Sequence, residues 1–322
     1  MEKNNQTVFV TGSAGFIGFS LSKRLLEEGG NVIGIDNLNK YYDVNLKMAR
    51  LDVLKSFDKF IFYKGDIQDL KALKDIFSQH RIDVICNLAA QAGVRYSLED
   101  PFSYQKSNLE GFLNLLEIAR EFGVENFVYA SSSSVYGSNE KVPFSVDDRV
   151  DNPISLYAAT KKANELIAHA YSHLYQIPCT GLRYFTVYGP WGRPDMALFL
   201  FTDAILNNRP INVYNYGDMK RDFTYIDDIV DGTIAALERP VPYEVFNLGN
   251  SKTEQLMKLI QILEEELGQK AEKNMMSMQP GDVKQTSADI EKSRDLLGFD
   301  PKTPLEEGIR RFVEWYRSFY KV

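Results

Sequence analysis

Near its N-terminus the chain reads Val8-Phe9-Val10-Thr11-Gly12-Ser13-Ala14-Gly15-Phe16-Ile17-Gly18. Val8–Thr11 predicts a β-strand, and a helix is expected from about Gly15 through Leu26. The glycines between them permit a tight turn, close approach of backbone to a pyrophosphate, and close packing of helix on strand. The helix start offers free N–H groups and a partial positive charge to phosphates. A second strand, Val32–Asp36, ends on an acid about 20 residues after the turn, where a ribose-binding carboxylate is expected. That carboxylate accepts both ribose hydroxyls and repels a 2′-phosphate, so NAD is favoured over NADP.

Outward from this unit, strands are expected at Phe60–Lys64, Val84–Leu88, Phe127–Ser131 and Thr180–Tyr184. Helices are expected at Asp69–Gln79, Ser103–Phe122 and Tyr157–Tyr175. Short apolar strands alternating with amphipathic helices predict an α/β chain with a doubly wound, parallel, Rossmann-type sheet and a ligand crevice at the strands' carboxyl ends. After Tyr184 the pattern loosens around Pro190, Gly192, Pro194, Pro210 and Gly217, with a helix expected at Thr253–Leu267. The expected organisation is a dinucleotide domain over 1–183 and a smaller substrate domain over 184–322. The helix at Asp227–Leu237 makes the two partly interleaved, through a returning segment near 223–238.

Composition narrows the chemistry. With 37 basic and 44 acidic residues the 322-residue chain carries a net charge of −7, so no global positive field draws nucleic acid or an anionic membrane. No apolar run approaches the ~20 residues of a membrane span. Met1–Gln6 is polar, so no signal peptide is expected. Cys86 and Cys179 sit in apolar contexts as buried thiols, and a reducing cytoplasm is expected.

Candidate cofactor residues are Gly12, Gly15, Phe16, Ile17 and Gly18 at the turn, with Asp36 and Asn37 after strand two. Asp66 and Ile67 follow strand three, and Asp66 either meets the adenine amino group or caps the next helix. Leu88, Ala89 and Ala90 offer a slim segment past strand four. Tyr157 and Lys161, four apart on one helix face, make the candidate proton-transfer pair. A phenol titrates near ~10, and a neighbouring ammonium and an oxidised nicotinamide both favour its ionised form. Lys161 also reaches the nicotinamide ribose. In Ser131-Ser-Ser-Ser-Val-Tyr-Gly137, one hydroxyl shares the reacting proton and the others serve a turn. Glu165, His169 and His173 share metal-ligand spacing, but with only His80 elsewhere no zinc site is expected.

Together Gly12–Gly18, the serine run, Tyr157-x-x-x-Lys161 and Arg183-Tyr-Phe-Thr-Val-Tyr-Gly-Pro190 resemble the extended short-chain dehydrogenase/reductases acting on nucleotide sugars, over essentially the whole chain. Asn87–Ser97 and Arg193-Pro-Asp-Met196 resemble the UDP-glucuronate 4-epimerases among them. The resemblance implies NAD as cofactor and an isomerase. Tyr157 would take the proton of the sugar 4-hydroxyl while the C4 hydride passes to NAD; the 4-keto sugar turns over and is reduced on its other face. Ser132 takes the catalytic hydroxyl position, with Ser133 beside it. Where 4,6-dehydratases carry Thr-Asp-Glu and decarboxylases Thr-Ser-Glu, this chain has Ser132-Ser133-Ser134, without their acids. Arg193 resembles the carboxylate-binding arginine; an ion pair with Asp195 or a diphosphate contact are its alternatives. Arg95 falls near the cofactor–sugar junction, Arg221 resembles a diphosphate-binding arginine, and Asp282 a ribose-binding acid. Thr186 stands where UDP-galactose 4-epimerases have Asn, and Gln279 where they have Arg. The resemblance further implies a homodimer through a four-helix bundle. The remaining alternatives are a UDP-glucose or UDP-N-acetylglucosamine 4-epimerase, a decarboxylase, or an NAD-binding sensor.

Overall fold

The structure, a computed structural model, describes residues 6–279 and 281–322. The Met1–Asn5 part of the polar N-terminal segment lies outside the described residues. In chain order the elements are β1 (Thr7–Thr11), α1 (Phe16–Glu27), β2 (Asn31–Asp36), α2 (Val44–Leu54), β3 (Phe60–Lys64), α3 (Leu70–Gln79) and β4 (Val84–Asn87). Two short helices, α4 (Tyr96–Glu99) and α5 (Pro101–Tyr104), precede a π-helical turn at Gln105–Glu110 and α6 (Gly111–Phe122). Then come β5 (Asn126–Ser132), a 3₁₀ turn at Ser133–Tyr136, α7 (Leu156–Tyr175), β6 (Cys179–Tyr184) and β7 (Thr186–Tyr188). The remainder is α8 (Ala197–Leu206), β8 (Ile211–Val213), β9 (Lys220–Tyr225), α9 (Ile226–Glu238), β10 (Tyr243–Leu248), β11 (Thr253–Gln255), α10 (Leu256–Leu267), β12 (Lys273–Met275), α11 (Glu291–Leu297) and α12 (Leu305–Tyr320).

Seven parallel strands form one sheet in the order β10-β6-β5-β4-β1-β2-β3. Both faces are covered: Val8 and Val10 pack into one core, and Phe9 between them into the other. This is why β1 reads as a continuous apolar run rather than an alternating one. The chain reverses its winding between β1 and β4, so the crevice opens at their carboxyl ends.

Three findings differ from the sequence expectation. The sheet takes its seventh strand, β10, from beyond residue 184, and it pairs with β6. The expected Ser103–Phe122 helix is broken by the π turn. The segment expected as helix from Thr253 begins instead as β11, antiparallel to β9. The chain leaves the large sheet at Phe185 and enters a small one, β11-β9-β7; β8 and β12 pair separately. Helix α9 returns to lie against α1, joined by an Arg24–Asp231 ion pair of 2.8 Å. No helix among the described residues is long and apolar enough to cross a membrane.

Candidate active site

The glycine turn is built by contacts that a side chain would block. Gly12 has φ +69°, and its N–H donates to the Ile35 carbonyl at 2.8 Å. A Cβ on Gly12 would lie 2.9 Å from the Ala89 nitrogen, so the first glycine lets the segment after β4 pass close by. A Cβ on Gly18 would stand 2.1 Å from the Gly12 carbonyl oxygen, so the third lets α1 seat on the turn. Thr11 pins the slim segment: its hydroxyl accepts from Leu88 and Ala89 N–H at 3.1 and 3.0 Å and donates to Asn87 Oδ1 at 2.6 Å. No side chain caps α1 at Gly15, which leaves the first N–H groups of the helix for an anion to meet.

Asp36 closes the other side. Its carboxylate accepts from Ala14 N–H (3.1 Å) and Leu38 N–H (2.8 Å). Burial pushes its pKa up, against the pull of those N–H groups and of the Lys47 and Arg50 charges. Asn37 donates to Asp66 at 2.8 Å, and Asp66 accepts from Gln68 N–H at 3.0 Å. The cap of α3 is Asp69, which accepts from Ala72 N–H, so the capping alternative for Asp66 falls away. Ile67 packs its side chain into the core, where a Cβ on Gly111 would come within 2.5 Å of it. An uncapped helix start, a glycine cradle that any Cβ would fill and an oriented acid fit a dinucleotide.

Helix α7, capped by Ser155 on Ala158 N–H at 3.1 Å, lines up Tyr157, Lys161 and Glu165 at four-residue intervals. Lys161 is 3% exposed; its ammonium donates to the Ala130 carbonyl at 2.8 Å and lies 6.0 Å from the Tyr157 ring centroid. Burial lowers its pKa to about 8. Tyr157 differs from the sequence expectation. Burial raises its pKa, and the opposing influences are the Ser132 hydroxyl and the Arg193 charge rather than Lys161. The protein's own groups therefore leave the phenol protonated at neutral pH, and further positive charge must act on it to make it a base.

The serines divide their labour. Ser131 donates to Glu165 at 2.7 Å inside the core. Ser132 faces Tyr157 and also accepts from Ser134 N–H at 3.2 Å, capping the 3₁₀ turn. Ser133 and Ser134 line the cleft. Glu165 is committed to Arg183, which contacts both its oxygens at 2.8 and 2.9 Å. One structural residue escaped the sequence reading. Asn108, in the π turn, accepts from Gln91 N–H at 2.9 Å and donates to Gln91 O and Thr160 Oγ1, both at 3.0 Å. Its carbonyl accepts from Asn164 at 2.6 Å. It thus locks the loop after β4 to Thr160 and Asn164 on either side of Lys161; it is the one buried residue of the polar run Gln105–Glu110, and no sequence pattern sets it apart from its polar neighbours.

The substrate end is a cleft lined by Ser133, Ser134, Thr186, Arg221 and Asp282 among others. Arg221 donates to the Lys220 and Lys284 carbonyls, and burial lowers its pKa. Arg95 pairs with Asp282 at 2.9 Å and stacks over Tyr214 at 4.5 Å. Arg193 forms the bidentate pair with Asp195, at 3.0 and 2.5 Å, and Tyr41 donates to the same carboxylate at 3.0 Å.

The family model described as NAD dependent epimerase/dehydratase matches residues 8–249, from β1 to the end of β10. The chain belongs to this family. Among the relatives of this epimerase/dehydratase chain, UDP-glucuronate 4-epimerase 4 of Arabidopsis thaliana is 49% identical over 98% of it and 76% of the plant protein. A probable UDP-glucuronate 4-epimerase of Rhizobium meliloti is 46% identical, covering 97% of both chains. The crystal structure of UDP-glucuronic acid 4-epimerase from Bacillus cereus, in complex with UDP-glucuronic acid and NAD, superposes with a TM-score of 0.91. It is 36% identical, over 98% of this epimerase/dehydratase chain and 100% of the other.

Proposed function

We infer that the chain is an NAD-dependent 4-epimerase that interconverts UDP-glucuronate and UDP-galacturonate through a transient 4-keto sugar. The observation that supports this reading is that Arg193, whose charge is felt by the Tyr157 phenol, has a guanidinium that already holds a carboxylate, that of Asp195, in a bidentate pair, so a sugar carboxylate would take the place of Asp195 on it. A sugar held by C6 on that arginine presents its 4-hydroxyl to Tyr157.

NAD, bound on Gly12, Gly15, Phe16, Ile17, Gly18, Asp36, Asn37, Asp66, Ile67, Leu88, Ala89, Ala90 and Lys161, supplies a reversible hydride acceptor. Tyr157 removes the 4-hydroxyl proton and later returns it to the oxygen of the inverted centre. Ser132 shares that proton by hydrogen bond. Lys161 binds the nicotinamide ribose. Arg193, with Thr186 and Ser133 around the sugar, restrains the carboxylate. The restraint matters because the 4-keto uronate is a β-keto acid, which sheds carbon dioxide when its C5–C6 bond stands perpendicular to the ketone plane. Arg221 neutralises the diphosphate and Asp282 takes the uridine ribose, in a cleft where Arg95 buttresses Asp282.

Residues 1–183, with α9 and β10 returning to them, serve the cofactor, and the rest of 184–322 serves the nucleotide sugar. Leu113 on α6 and Leu166 and Leu174 on α7 are exposed apolar residues, supporting a homodimer in which these helices pair as a four-helix bundle. The enzyme works in the cytoplasm, where its two free, buried thiols, Cys86 and Cys179, stay reduced. Incubation of purified protein with UDP-glucuronate and no added NAD tests the reading. A mixture with UDP-galacturonate is expected. A UDP-pentose would instead make it a decarboxylase, conversion of only UDP-glucose or its N-acetyl analogue a neutral-sugar epimerase, and no reaction on any of them an NAD-binding sensor.

A further inference from the structure

Helix α2 directs a charge into the protein. Arg50 has 0% of its surface exposed, and among the described residues no carboxylate hydrogen-bonds it. Such a charge is costly to bury unless its N–H groups are satisfied. Its Nε has no partner, and its Nη donors reach three places: the glycine turn, the loop before α2 and the loop before Arg193. Nη1 donates to the Ala14 carbonyl in the glycine turn and to the Tyr42 hydroxyl, both at 2.8 Å. Nη2 donates to the carbonyls of Trp191 at 2.5 Å and Gly192 at 3.2 Å. Those two carbonyls belong to the peptide groups immediately before Arg193. Trp191 holds φ +64°, a conformation that costs energy for a bulky residue and persists only where its surroundings enforce it. Its ring is wedged against Phe19, Trp315 and Phe319 at 5.1, 5.4 and 5.2 Å.

We propose that Arg50 is a positioning residue: it is a strut that fixes the spacing between the dinucleotide-binding turn and the loop carrying Arg193, and so decides whether the 4-keto uronate is reduced or decarboxylated. This rests on the carboxylate role of Arg193. If the loop drifts, the carboxylate is held less firmly and the ring is freer to pucker, which swings the C5–C6 bond relative to the ketone plane. When C5–C6 comes perpendicular to the ketone plane, that bond breaks and carbon dioxide leaves. The electron pair forms an enolate across C4 and C5, and a proton from water adds at C5 to give a UDP-4-ketopentose. The two electrons taken earlier from C4 remain on the cofactor. Lysine at this position keeps the charge but lacks the forked donors needed to reach both carbonyl sets.

The test compares the wild-type holoenzyme with R50K, W191F and R193A by product analysis, steady-state kinetics, calorimetric binding of UDP and UDP-glucuronate, and thermal melting. R50K is expected to cut kcat for epimerisation about 10²-fold, the scale of a small misplacement of reacting groups. It should raise the decarboxylated fraction while UDP binding stays at the wild-type level. W191F, which disturbs the same loop without touching the buried charge, should move the product ratio in the same direction, and it carries the test if R50K does not fold. Wild-type product ratios in folded R50K and W191F, with R193A losing uronate affinity, would overturn the strut alone. An R193A protein that binds UDP-glucuronate like the wild type would overturn the carboxylate role on which the strut rests.

Discussion

Replacing Lys161 with methionine should abolish turnover and yet leave the cofactor-free protein at least as stable as the wild type. The lysine is buried against a carbonyl, and its pKa falls from 10.5 to about 8. At ~1.4 kcal/mol per pKa unit that depression corresponds to roughly 3 kcal/mol of penalty carried by the charged, folded form. Methionine keeps the volume and removes the penalty, but it forfeits the bond to Ala130, leaving a buried acceptor worth about 1–3 kcal/mol. The net at neutral pH is a gain of zero to about 2 kcal/mol. The sign reverses with pH. Between about 8 and 10.5 the folded lysine binds fewer protons than the unfolded one, so wild-type stability rises with pH across that window. The variant has no such rise, so its advantage should shrink and become a deficit by pH 10.5. Urea denaturation of NAD-stripped proteins at several pH values reads this directly, since other titrations cancel in the difference. A variant destabilised at pH 7, or a difference that does not change with pH, would refute the reasoning.

Other perturbations carry their own readouts. Tyr157→Phe should retain NAD and lose turnover by about 10²–10⁴-fold; comparable activity would mean the proton leaves by another group. Asp36→Ser should weaken NAD retention and narrow its preference over NADP, measured by the cofactor content of purified protein; unchanged preference would remove the carboxylate from the ribose. Glu165→Ala leaves the buried Arg183 charge unpaired and should cost about 3–5 kcal/mol in denaturation, whereas Arg95→Ala breaks a half-exposed pair and should cost under ~1 kcal/mol.

What the sequence disclosed, and what it hid, follows from how each element buries itself. The turn at Gly12–Gly18 was legible because backbone geometry there demands glycine, and the strands from β1 to β6 because both their faces are apolar. Helix α2 left no apolar stripe: two of its five buried positions are Lys47 and Arg50. Strand β10 was masked by Glu244 and by Asn247, which is buried and bonded to the Phe144 and Asp289 carbonyls. The three-residue strands of the smaller sheets are too short to display a period of two. In the site, Tyr157 and Lys161 were readable because their four-residue spacing is local. The partnership of Arg95 with Asp282 spans 187 positions, and no spacing rule reports it. The raised pKa of Tyr157 was likewise hidden, because desolvation is a property of the assembled crevice.

The central claim is that hydrogen leaves C4 and comes back to the same carbon without meeting water. UDP-glucuronate deuterated at C4 decides it. The account predicts UDP-galacturonate carrying the deuterium at C4. UDP-galacturonate whose label has washed out into solvent would contradict it.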